Sequence, residues 1–109
     1  MKPRITFCLT PEGTLEIYFN EEGRNQFIQE LSRLNEQNEH FHFAPATIDS
    51  DMAVSSLPYR LEDKALDYGK ALFRTDAWDR QYFPHVMTEM NYQAASRVRH
   101  RHWVHLSPT

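Results

Sequence analysis

The stretch Asn20-Glu-Glu-Gly-Arg-Asn-Gln-Phe-Ile-Gln-Glu-Leu-Ser-Arg-Leu-Asn-Glu-Gln-Asn-Glu-His-Phe-His-Phe-Ala44 contains the change of period that decides the fold. Its first part reads as an amphipathic helix. Phe27, Ile28, Leu31 and Leu34 recur at helical spacing and form one stripe. Asn20 suits the N-cap, and Glu21 and Glu22 suit a first turn at the positive end of the helix dipole. Gly23 weakens that start by about 1 kcal/mol relative to Ala. The polar run Asn35–Asn38 ends the helix. From Glu39 to Ala44 the period drops to two, so Phe41 and Phe43 point one way from a strand, and His40 and His42 the other.

Ahead of this stretch, Ile5, Phe7 and Leu9 alternate with polar or small residues, as do Leu15, Ile17 and Phe19. Pro11-Glu12-Gly13 between them supplies turn chemistry, so the two runs predict a β-hairpin. Beyond it, Pro45–Ser56 reads as a loop or a weak edge strand, with Val54, Leu57 and Tyr59 able to add pairing. Leu61–Arg74 fits both a helical stripe and a buried strand; we read a strand over Asp67–Arg74, although Gly69 suits neither interior. Thr75–Met87 is the densest aromatic stretch, and Pro84 bars a helix from running through it. The expected class is α+β: a small antiparallel sheet, built from the hairpin and further strands, with one main helix packed on one face. Residues 1–90 form the expected domain, and 91–109 a basic C-terminal tail.

A chain of 109 residues is long enough to bury a core as one domain. The 40% hydrophobic and 13% aromatic content supports such a core, and the mean hydropathy of -0.68 leaves room for segments outside it. The net charge of -3 is uneven: from Arg97 onward there are three Arg, three His and no acid. The remaining body has nine basic and fifteen acidic side chains, a net of -6. Such a body disfavours nucleic acid, whose phosphates demand positive charge, and suits a basic protein partner. Cys8 is the single cysteine, so no intrachain disulfide forms, which fits a reducing compartment. The first residues lack the apolar run of a signal peptide, and no stretch is apolar enough to span a membrane. The expected location is the cytoplasm.

Two places could carry chemistry. His40 and His42 share a strand face, and with a third ligand such as His85 they would suit a transition metal. The plainer alternative is a pair of exposed imidazoles opposite a pair of core phenylalanines. In Trp78-Asp79-Arg80-Gln81-Tyr82-Phe83-Pro84-His85, Trp78, Asp79, Arg80, Tyr82 and His85 are candidate contacts, because Trp, Tyr and Arg concentrate at interface hot spots. Here the alternative is a flap that packs Trp78 and Phe83 into the core. Cys8 has no adjacent base to activate it as a nucleophile. No phosphate-cradling Gly-rich loop, nucleophile elbow, paired CxxC or zinc-protease helix motif occurs, so no catalytic residue or cofactor is assigned.

Gly23-Arg-Asn-Gln-Phe-Ile-Gln-Glu-Leu31, preceded by a short strand and followed by Glu39-His40-Phe41-His42-Phe43, resembles the Immunity protein 32 family of bacterial polymorphic toxin systems. The resemblance covers residues 22–44. It implies a small, non-catalytic cytoplasmic protein that binds and neutralises a cognate toxin. His40 and His42 are the motif positions that carry over. The expected function is therefore non-enzymatic protein binding. A metal site on His40, His42 and His85, and a structural or assembly subunit, are the alternatives.

Overall fold

The structure, a computed structural model, describes residues 2–88. The chain divides into two compact units, Met1–Phe73 and Arg74–Thr109. The expected boundary near residue 90 and the basic tail 91–109 lie outside the described residues.

The first unit is α+β, as the alternation of periods predicts. Strand β1 (Ile5–Leu9) pairs antiparallel with β2 (Leu15–Phe19), in the register Ile5↔Phe19, Phe7↔Ile17 and Leu9↔Leu15. The turn closes through Thr10, whose N–H donates to the Thr14 carbonyl at 2.9 Å. The Thr10 hydroxyl accepts from the Thr14 N–H at 3.0 Å. Helix α1 (Glu21–Ser32) follows β2 directly. Asn20 caps it as expected: its Oδ1 accepts from the Gly23 N–H at 2.8 Å and from the Arg4 N–H at 2.9 Å. The same side chain donates through Nδ2 to the Lys2 carbonyl, so one residue starts the helix and anchors the strand before it. Gly23 is buried where the first helical turn meets that strand. A Cβ there would lie 2.3 Å from the Arg4 carbonyl oxygen.

Helix α1 ends at Ser32 because Asn35 offers its neighbours an alternative to helix. Its Oδ1 accepts from the N–H groups of Gln37 and Asn38, both at 2.8 Å. The Asn38 amide in turn satisfies the Arg33 carbonyl. Strand β3 (His40–Pro45) then runs parallel to β4 (Met52–Val54) and antiparallel to β6 (Gly69–Leu72). The short β5 (Lys64–Ala65) pairs with β1. Two three-stranded sheets result, in the orders β2-β1-β5 and β4-β3-β6. They meet where the Ser55 N–H donates to the Ile5 carbonyl at 2.7 Å.

The strand read over 67–74 is present as β6. The weak edge strand within 45–56 is β4, but its parallel pairing departs from the antiparallel sheet expected. Where its ladder stops, the Asp51 carboxylate substitutes for backbone and accepts the His42 N–H at 2.8 Å.

The core is Ile5, Phe7, Phe41, Met52 and Val54, with Phe27, Leu34, Phe43, Leu66 and Ala71 packed around it. The Phe7 ring contacts Phe27 edge-on at 5.8 Å and Phe43 at 4.7 Å. Phe43 also explains Gly69, its partner across the ladder: a Cβ at residue 69 would sit 2.6 Å from the tip of that ring. The helical stripe needs correction. Phe27 and Leu34 face the core, whereas Ile28 and Leu31 are exposed. The turn of helix that would have buried them instead buries Glu30, which pairs with Arg33 at 3.1 Å.

On the other face of the hairpin, Thr6, Cys8 and Thr10 are buried. Tyr59 stacks on Tyr18 there, with ring centroids 3.8 Å apart. The Arg60 guanidinium bridges Glu16 and the fully buried Asp63, 3.2 Å away. Its charge is what makes a buried carboxylate tolerable. Asp63 Oδ1 has no hydrogen-bond partner among the described residues. Cys8 is completely enclosed.

In the second unit, α2 (Asp76–Tyr82) is capped by Thr75, whose hydroxyl accepts from the Trp78 N–H at 3.1 Å. It stops at Phe83, and Pro84 opens a 3-10 turn over Pro84–Met87, as the barrier to helix at that proline requires. No residue of α2 is buried. Within this unit Trp78 and Phe83 are exposed rather than packed into a core.

Candidate binding face on β3 and β6

The register of β3 against β6 pairs His40 with Leu72 and His42 with Lys70. Residues paired across a ladder project from the same face. His40, His42, Lys70 and Leu72 therefore share the face opposite Phe41, and all four are exposed. The two imidazoles meet edge to face, 4.9 Å between centroids. On the β4 side, Asp51 Oδ2 lies 3.9 Å from His42 Nδ1 besides accepting the His42 backbone N–H. His42 thus stands in the middle of a row, with a carboxylate on one side and an ammonium on the other.

Beside this row opens a groove of about 440 Å³. Its walls include Ile48 and Tyr68, both exposed, with Lys70 and Asp49 supplying opposite charges. The turn that carries Ile48 is closed by its N–H donating to the Pro45 carbonyl at 2.9 Å. Phe43 and Gly69, partners across the ladder, also line it. Open apolar walls with a few placed charges suit recognition of side chains.

His40 and His42 are therefore brought together, with Asp51 and Lys70 added. Trp78, Asp79, Arg80 and Tyr82 lie on α2, and His85 in the 3-10 turn, all in the second unit. There the Trp78 and Tyr82 rings meet at 4.4 Å, and the Arg74 guanidinium sits 4.8 Å over the Trp78 ring. Phe83 and His85 approach edge to face at 6.3 Å. Among the described residues, no group of three or more His, Cys, Asp or Glu is placed to hold a metal. No helix among them is long and apolar enough to cross a membrane.

Sequence reasoning missed Asp51 and Lys70. No local signal marks them, because they reach His42 through strand pairing rather than spacing. The bridge of Arg60 to Asp63 was findable as an oppositely charged pair three residues apart, but its link to Glu16 was not.

Comparison with protein-family models, with curated proteins and with solved structures finds no match.

Proposed function

We propose that this chain is a non-catalytic protein-binding domain that docks a partner on the β3–β6 face, and that the partner is a bacterial toxin it neutralises by occlusion. The observation that carries the binding reading is the exposed row Asp51–His42–Lys70 beside an open groove walled by Ile48 and Tyr68. Mixed charges flanking an apolar cleft fix the register of a docked side chain, while the cleft supplies contact area. The acidic body, with a net of -6 before the tail, suits a basic partner and speeds its approach. The toxin reading is supported by the resemblance of residues 22–44 to an immunity family, whose His-rich strand corresponds to β3.

The test is co-expression with the product of a neighbouring toxin gene, scored by survival and by calorimetric titration of the purified pair. The pair His42→Ala with Lys70→Glu should weaken binding by about tenfold or more, the loss expected when hot-spot contacts are truncated. A wild-type chain that neither binds nor protects against that product refutes the proposal.

A further inference from the structure

β2 is an edge strand: among the described residues it pairs only with β1. The ladder shows which of its backbone groups are left over. The Thr10 N–H bonds to the Thr14 carbonyl and the Asn20 N–H to the Arg4 carbonyl, so the bonded pairs of this antiparallel ladder fall on even-numbered residues. Glu16 and Tyr18 therefore point their N–H and C=O at β1. Leu15, Ile17 and Phe19 point theirs outward.

The same three residues carry the apolar side chains of β2. They lie on the face of Ile5, Phe7 and Leu9, yet remain 54%, 42% and 46% exposed. Helix α1 prolongs the strip. Arg24 lines one shallow groove with Phe19, and Ile28 and Leu31 continue its row along the helix. Ile28 is 53% exposed and Leu31 46%. Natural edges are usually guarded by Lys, Pro, a bulge or an inward-pointing charge. β2 has none of these, and its one charge, Glu16, is held on the opposite face by Arg60.

We propose that this strip is the interface of a homodimer, in which β2 pairs antiparallel with β2 of a second copy about a two-fold axis at Ile17. That register bonds Ile17 to its own counterpart and Leu15 to the second copy's Phe19, which are the outward-pointing backbone groups. Glu16 then faces Tyr18 of the second copy, so no like charges meet. The axis runs perpendicular to the sheet, so both α1 helices lie on one face. Ile28 and Leu31 of each copy then flank a shared floor of six β2 side chains. Each copy brings five apolar side chains about half exposed and one unpaired strand edge, so the contact falls at the lower end of stable interfaces, about 1,200 Å² in total. A strand of some unrelated protein could meet the same edge, but the two-fold register is matched from the chain's own sequence.

Sedimentation of the full chain tests the idea, with Ile17→Lys as the disrupting variant and Leu57→Lys, at an exposed loop residue, as the charge control. The wild type and L57K should be dimers at about 100 µM, and I17K should dissociate at least about tenfold more readily. Circular dichroism and a cooperative melt would establish that I17K is folded. Should it not fold, Ile17→Cys decides the matter. Facing residues in a bonded antiparallel pair place their Cα atoms about 5.5 Å apart, within disulfide reach, so I17C should oxidise to a covalent dimer while Leu61→Cys does not. A monomeric wild type, a dimer indifferent to I17K, or an I17C that cross-links no better than L61C would overturn the proposal. A monomer would leave the strip to a strand of another protein.

Discussion

Gly23→Ala separates helix propensity from packing, because the two predict opposite signs. Within α1, replacing Gly by Ala should stabilise by about 1 kcal/mol, since Ala loses less backbone entropy. Gly23 has ordinary helical dihedrals, the only positive φ in the described chain being at Gly13, so nothing in its backbone forbids a side chain. The obstacle is the Arg4 carbonyl, with oxygen 2.3 Å and carbon 2.9 Å from where the Cβ would be. These are backbone atoms, fixed by the Arg4 N–H bond to Asn20 and the Asn20 N–H bond back to Arg4. The helix must lift by roughly 1 Å to reach ordinary contact, which strains the cap at Asn20 and loosens Phe27 over Phe7. Overpacking of this kind costs about 1–3 kcal/mol, and a weakened cap adds about 1 kcal/mol. Against the propensity gain, the net expectation is a loss of about 1–3 kcal/mol. In a thermal melt followed by circular dichroism this lowers Tm by roughly 5–15 °C. Gln29→Ala, on the exposed side of the same helix, should change stability by less than about 0.5 kcal/mol. A G23A chain as stable as the wild type, or more stable, would refute the close-approach argument.

Three further outcomes are expected. Phe7→Ala should lose about 3–5 kcal/mol in urea unfolding, because the ring is enclosed by Phe27 and Phe43 and its cavity cannot collapse. Asp51→Ala should lose up to about 1 kcal/mol by exchanging the bond from the His42 N–H for one to water, while Asp51→Asn, which keeps an acceptor oxygen, should lose less than half of that. The hydrogen bond to Glu16, then burial and the Glu16 charge, push the Tyr18 phenol above its usual value of 10. Because the folded state holds this proton more tightly, its contribution to stability is whole below pH 10 and is lost as pH rises through the raised value. A difference titration of wild type against Tyr18→Phe at 295 nm should place that ionisation above those of exposed tyrosines.

The elements whose signals are local were legible. The period-two runs around Pro11-Glu12-Gly13 produced the hairpin, and Asn20 announced the start of α1. The His-Phe alternation placed Phe41 inside and His40 and His42 outside. Leu61–Arg74 fitted both helix and strand, because a short buried strand and a helix segment carry similar apolar content, and the strand read over Asp67–Arg74 had little support from period alone. Pairing with β3 decided it. The candidate face was half legible: both imidazoles were found, whereas Asp51 and Lys70 enter through the β4 and β6 registers.

Local pattern was enough for the β1–β2 hairpin, the start of α1 at Asn20 and the two faces of β3, since caps, turns and side-chain period act over a few residues. Tertiary structure alone decided which strands became neighbours, including the parallel pairing of β3 with β4. It also decided which side of α1 turned inward, burying Phe27 and Glu30 while leaving Ile28 and Leu31 in solvent. The physical reason is that helical spacing defines a stripe wider than one packing contact can cover. Which edge of that stripe meets the sheet depends on the close approach at Gly23 and the ring of Phe7, groups distant along the chain or governed by contacts that no local pattern encodes.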